Sequence, residues 1–253
     1  MSARASAGTW PGMGDGLLFV VALIALWQGL YLVVGEVAIT PPLETLGNAY
    51  GLLRSADFWP NVASSFRALG LALGIEVVFG LLLGAFFGLN RLAGEVAEPL
   101  IMTLYSIPKI VFYPVVLMFC GIGTLSVVVF AVMHGILPVL LFTMTAVRNI
   151  RPAFLKTGRV MRMRLGQVIW RIALPATIPE VFTGLRLGFA GTMLGVLLSE
   201  MFGSKNGLGF MLMNAIGLNQ VNLIMALTLV LVGFAAVVNL GLLAVDGRLH
   251  KRS

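Results

Sequence analysis

Charged residues make up only 11% of this 253-residue chain, too little to cover the surface of a water-soluble globule of that length. Cysteine is nearly absent: Cys120 stands alone in an apolar stretch, which excludes an intramolecular disulfide and a cysteine metal cluster. The two histidines, His134 and His250, lack HExxH or similar ligand spacing, so no metal site is expected. No GxxxxGK[ST] loop occurs, which excludes nucleotide hydrolysis by that machinery, and no Ser/His/Asp or paired-carboxylate constellation suggests a membrane enzyme. Between positions 146 and 171 acidic residues are missing altogether, while Arg148, Arg151, Lys156, Arg159, Arg162, Arg164 and Arg171 all fall there.

What the chain has is apolar mass: 59% of its residues, gathered into windows long enough for a bilayer. Hydropathy places six spans near 17–35, 62–89, 97–120, 124–146, 179–201 and 221–244. This predicts an all-α membrane protein with a tail at 1–16, a transmembrane domain at 17–246 and a second tail at 247–253. The first apolar run reads as a retained span rather than a cleaved signal, because no small-residue cleavage pattern follows it. The formal charge of +7 would point to nucleic acid in a soluble protein; here the cations sit in connections and at the termini, where membrane orientation explains them. The positive-inside rule puts the 146–171 connection, the turn at Arg91 and both termini in the cytoplasm. The 36–60 connection, with Glu36, Glu44 and Asp57, goes outside. Pro41 and Pro42 before LETLGNAYGLL predict a short outer helix ahead of the second span.

Several residues inside these runs are costly to place in lipid. Pro108 and Pro114 bracket KIVFY in the third span and Pro138 lies in the fourth, each removing a backbone donor, and kinked helices are expected. Glu76 and Lys109 are the conspicuous intramembrane ions; they either pair with each other or face a pathway or interface separately. Glu200, near the outer end of the fifth span, is either solvated at the interface or placed on the pathway. Gly207 and Gly209 in SEMFGSKNGLG are expected to permit a tight bend. In the basic connection Phe154, Met161, Leu165 and Val168 fall near one helical face and Lys156, Arg159 and Arg162 lie away from it. Such a segment can rest on a bilayer or fill a groove in a soluble partner.

The order PPLETLGNA, SSFRALGLALG, LYSIPKIVFYPVVLMFCGIG, RIALPATIPEVFTGLRLG and SEMFGSKNGLGFML, from about Pro41 to Asp246, resembles the permease subunit of bacterial binding-protein-dependent ABC importers. The resemblance is strongest to the branch that carries nitrate, sulfonates, taurine and related small anions. It implies the six-helix transmembrane domain of a type I ABC importer in the cytoplasmic (inner) membrane. The partners it implies are a second permease copy, two cytoplasmic ATPases that bind ATP and Mg, and an extracytoplasmic solute-binding protein. By the same resemblance, about 152–170 is the EAA coupling loop, two short helices docking on the ATPase, with Phe154, Arg159, Met161, Arg162, Leu165 and Gln167 as contacts. Pro108, Pro175, Pro179, Gly184, Arg186, Gly207 and Gly209 are its structural positions. The chain departs from that pattern where Lys156, Thr157 and Gly158 replace Glu-Ala-Ala and Arg162 replaces the motif glycine. A left-handed arginine costs about 1 kcal/mol, so either the turn is reshaped or the segment continues as helix. The competing readings are a membrane scaffold that has lost ATPase coupling and a secondary transporter using Glu76 for proton coupling.

Overall fold

The structure, a computed structural model, describes residues 13–250, and among them every regular element is helical. In chain order these are α1 (Met13–Val34), α2 (Pro42–Arg54), α3 (Phe58–Leu89), α4 (Arg91–Ser106), α5 (Tyr113–Cys120), α6 (Thr124–Arg148), α7 (Pro152–Val160), α8 (Leu165–Val168), α9 (Leu174–Gly203), α10 (Leu208–Gly217) and α11 (Val221–His250). Among the described residues five helices, over 15–34, 58–89, 124–148, 166–203 and 221–249, are long and apolar enough to cross a membrane. The third expected span meets that test only as a pair, α4 and the 109–120 segment, bent by 86°.

That bend corrects the expectation of a kinked third helix. Ile107, which precedes a proline, is extended at φ −73° and ψ 131°, the region to which the proline ring drives its neighbour. Pro108 offers no N–H to continue α4, and the chain restarts as a tight 3₁₀ turn, Lys109–Phe112. Pro114 falls in the first turn of α5, where no intrahelical donor is needed. Pro138, by contrast, leaves α6 unbroken. The fifth span also differs from its expected start at Pro179: α9 opens at Leu174 with Pro175 in its first turn, and Pro179 is buried inside the helix.

Glycine spacing builds the centre, where α3 and α9 both pack on α6. Gly80, Gly84 and Gly88 recur every fourth residue along one face of α3, opposite Val139, Thr143 and Val147 of α6. A Cβ at Gly84 would stand 2.6 Å from the Cβ of Thr143 and 2.7 Å from the Leu140 carbonyl oxygen, closer than real atoms approach. Where α9 packs on α6, a Cβ at Gly184 would meet Phe142 at 2.6 Å, and one at Gly195 would meet Ala131 Cα at 2.7 Å. Helix backbones in lipid gain van der Waals contact by such close approach, since the hydrocarbon around them supplies no hydrophobic drive.

A second layer closes the end of the bundle where α2 meets α11. The short helix expected ahead of the second span forms as α2 and packs on α11 through Ala49, Leu52, Ala226 and Leu227. Thr40 and Asn222 add a 2.9 Å hydrogen bond, and the Trp27 indole N–H donates to the Thr40 carbonyl at 3.0 Å. Helix α1 is otherwise peripheral, with Leu17, Leu18 and Leu26 turned outward. Its 22 residues give about 33 Å of helix, close to the roughly 30 Å hydrocarbon thickness of a bilayer.

Candidate functional site

The basic connection folds as two short helices separated by a turn, and the turn forms around the residue that departs from the family pattern. Arg162 adopts φ +51°, and the Met163 N–H donates to the Gly158 carbonyl at 3.0 Å across it. That six-residue closure with a left-handed residue is a Schellman cap, which ends α7 and satisfies one of its last carbonyls. Arginine therefore takes up the glycine conformation; the segment neither reshapes the turn nor continues as one helix. Arg162→Gly is expected to stabilise the segment by about 1 kcal/mol by removing the left-handed penalty. Thermal unfolding of the purified protein, read by helix signal, checks this; a lower midpoint for the glycine variant would contradict it.

On the far side of the turn Gln167 folds back: its Oε1 accepts from the Arg164 N–H at 2.9 Å while the Arg164 carbonyl accepts from Gln167 and Val168. This is the reciprocal half of a capping box, so Gln167 starts α8, and its expected contact role is joined by a structural one. Helix α8 runs into a wide π turn, Ile169–Ala173, and then directly into α9. Gly158 is buried against that turn, and a Cβ there would lie 3.2 Å from Ile172 Cδ1. The position can thus hold little beyond a methyl, which accounts for a small residue in the third place of the motif.

The single apolar face expected for Phe154, Met161, Leu165 and Val168 does not form, because the cap at Arg162 re-aims everything after it. Val168 is half-buried and turned toward Gly158, whereas Met161 is 69% exposed, its chain neighbour Val160 84% and, further on, Trp170 72%. Val160 and Trp170 were not among the expected contacts; both were legible as large apolar residues in a highly charged stretch. Phe154 lines a cleft of about 570 Å³ with Asn149, Arg151, Arg171 and Pro175, at the junction of the segment with α9. Lys156 and Arg162 are exposed. The side chains of Arg159 and Leu165 lie outside the described residues, as do those of the extreme termini.

The intramembrane ions are not brought together. Glu76 is wholly buried in α3, its Oε2 accepting from the Thr192 hydroxyl of α9, with Gly135 of α6 and Gly188 of α9 against the carboxylate. Its Oε1 has no hydrogen-bond partner. Lys109 sits in the turn at the broken span, where its ammonium donates to the Tyr105 carbonyl at 3.3 Å and lies 5.0 Å from the centre of the Tyr105 ring. Glu200 is 1% exposed and is therefore not solvated at the interface; Ser65 and the Gly209 N–H hold it. Gly207 makes the expected bend at φ +115°. Gly209 does not: it is helical in α10, and a Cβ there would press on the Leu197 carbonyl and Glu200.

Two ion pairs that sequence spacing could not reveal fasten the other ends of the helices. Arg186 Nη1 meets Asp246 Oδ2 at 3.1 Å, and the Thr183 hydroxyl donates to Oδ1, joining α9 to α11. Arg148 meets Glu98 at 2.7 Å, joining α6 to α4. Among the described residues no group of three or more His, Cys, Asp or Glu could hold a metal ion.

Comparison with known proteins agrees with this geometry. Residues 76–253 match the family described as binding-protein-dependent transport system inner membrane component. The taurine transport system permease protein TauC of Escherichia coli is 26% identical over 231 residues, covering 91% of this chain and 83% of that protein. The nitrate import permease protein NrtB of Synechococcus elongatus is 24% identical, covering 81% of this chain and 78% of its own. The bicarbonate transport system permease protein CmpB of the same species is 28% identical over 74% of this chain and 66% of its own.

Proposed function

Because the chain belongs to the family of inner membrane components of binding-protein-dependent transport systems, matched from residue 76 to its end, we propose that it forms half of the translocation pathway of an ATP-driven importer for a small oxyanion. The observation that carries the reading is the basic segment: Val160, Met161 and Trp170 are each largely exposed on it, and it is joined through the π turn to α9 of the membrane core. Exposed apolar side chains amid basic residues suit a groove in a soluble partner. With no phosphate loop of its own, the chain takes its energy from that partner.

The assembly has two permease copies, two cytoplasmic ATPases that carry ATP and Mg, and a solute-binding protein outside. In this arrangement Phe154, Met161, Arg162, Gln167, Arg159 and Leu165 dock on the ATPase, and both termini lie in the cytoplasm, as the basic 146–171 stretch supports. Closure of the ATPase pair displaces the segment and shifts α9 against the α3 and α6 core, so the two permeases alternate between facing inward and outward. The named relatives carry taurine, nitrate and bicarbonate, small solutes that each present a negatively charged oxygen group. Lys109, at the break in the third span, is the cation best suited to meet such a solute, and Glu76, with an oxygen left over, is enclosed within the helix core instead.

Solute-stimulated ATP hydrolysis by the co-purified assembly tests the class. Stimulation by one small sulfonate, nitrate or bicarbonate in the presence of the cognate binding protein is the expected result; hydrolysis that ignores every anion, while neutral solutes stimulate it, would overturn the anion reading.

A further inference from the structure

The outer end of α9 carries a buried polar cluster that transport as described above leaves unused. Ser65 Oγ, on α3, lies 2.7 Å from each oxygen of Glu200 and donates to that carboxylate, while accepting from the Leu208 N–H at 2.8 Å. The Gly209 N–H donates to Glu200 Oε2 at 2.9 Å, and the Gly207 N–H donates to Asn61 Oδ1, also on α3, at 2.7 Å. Three consecutive N–H groups at the start of α10, which a helix leaves unpaired, are thus taken up by α3 and α9. The Glu200 side chain caps the first turn of the helix in a water-poor setting, where a hydrogen bond is stronger than in water. Gly207, at φ +115°, brings the backbone so near that a Cβ there would fall on the Glu200 carboxylate.

The cluster sits where a mechanical link is needed. Helix α9 is 30 residues long, about 45 Å, and leads without a break from the π turn of the cytoplasmic segment to the outer turn Ser204–Gly207. Leu208 of α10 packs into the outer apolar layer with Leu52 of α2 and Leu227 of α11. Leu197 of α9 also packs on that layer directly, so a displacement of α9 reaches it both there and through α10, whose joint to α9 consists, apart from packing, of a short turn and the Glu200 cluster.

We propose that Glu200 is the positioning residue that locks α10 to the end of α9, so that movement of the cytoplasmic segment is delivered to the outer face of the protein. The inference rests on the transport reading, and its test keeps the two apart. The complete assembly, with ATPase and binding protein, is reconstituted in liposomes as wild type, Glu200→Ala and Glu200→Gln. The alanine variant is expected to lose at least about tenfold in binding-protein-dependent uptake while ATP hydrolysis without binding protein stays within about twofold. The glutamine variant is expected to keep at least about a third of uptake, since its amide oxygen accepts from Gly209 and its amide N–H donates to Ser65. If Glu200→Ala does not assemble, Ser65→Ala removes the same bridge with a smaller change and is expected to show the same split at about three- to tenfold. Uptake within twofold of wild type, or a parallel fall of uptake and unstimulated hydrolysis, overturns the inference while wild-type uptake upholds the transport reading. Wild type that fails to transport overturns both.

Discussion

Met161→Asp is expected to abolish ATP-driven uptake while leaving the membrane fold in place. Met161 closes α7 immediately before the left-handed Arg162, and its side chain is largely exposed with Val160 beside it. Burying such a side chain against a partner is worth about 1.5–3 kcal/mol. Aspartate forfeits that and adds the cost of an unpaired carboxylate in an interface, together about 4 kcal/mol, or on the order of a thousandfold in association. A negative charge at the C-terminus of α7 adds only a few tenths more. Within the chain Met161 supports little, so the thermal midpoint of the isolated permease is expected to move by no more than a surface substitution allows. ATPase retained on the immobilised permease is the measurement; near-normal retention would show that the ATPase docks elsewhere.

Gly84→Val is expected to have the opposite character, removing the folded protein rather than its partner. The Cβ alone would stand 2.7 Å from a backbone carbonyl of α6, and backbone cannot rotate aside as a side chain can. Valine adds two further methyls, so α3 must move away from α6 and loosen the neighbouring contacts at Gly80 and Gly88. Overpacking of this kind costs about 1–3 kcal/mol, and separation of the seam adds lost contacts, which together predict at least a tenfold fall in folded protein recovered from the membrane. Gly70→Val on the same helix is the control. Nothing lies within 4 Å of a Cβ at Gly70, and recovery is expected within about twofold of wild type. Equal losses at the two sites would mean that helix propensity, not the seam, decides.

The parts of this architecture legible in the sequence are those that depend on local pattern. Apolar windows located α3, α6 and α11 to within a few residues, and the proline pair before LETLGNA located α2. Gly80, Gly84 and Gly88 recur every fourth residue, but Gly70 and Gly74 are spaced alike and meet nothing, so the fold and not the spacing marks the α3 seam. Proline at 108 announced a disturbance but not its size: a kink and an 86° break begin from the same missing donor and differ in what packs around them. Arg162 was recognisable as an arginine in a glycine position. Whether the chain would keep the turn depended on the balance between about 1 kcal/mol of backbone strain and the packing of α7 on the π turn, which only the fold reveals.

The ions were the least legible. Glu200, near the end of a span, was open to solvation at the interface or to a place on the pathway; its partner Ser65 lies 135 residues earlier, and only the return of α10 encloses them. Glu76 and Lys109 were candidates for each other because both are costly in lipid. The structure resolves that cost locally, through Thr192 for one and Tyr105 for the other. Asp246 drew no attention as a partner for Arg186, since nothing in sequence separation predicts which turn of α11 faces α9. Charge in a membrane chain announces that a partner exists; the partner is named by tertiary packing.

The central claim is that this chain converts ATP hydrolysis by another subunit into movement of a solute across the membrane. Its direct measurement is uptake of radiolabelled taurine, nitrate and bicarbonate into liposomes carrying the assembled complex, with ATP enclosed on the ATPase side and binding protein on the other. The account predicts uptake of one of these solutes against its gradient, lost when ATP, the ATPase or the binding protein is omitted. Uptake that proceeds undiminished without ATP, driven instead by a proton gradient, would contradict it.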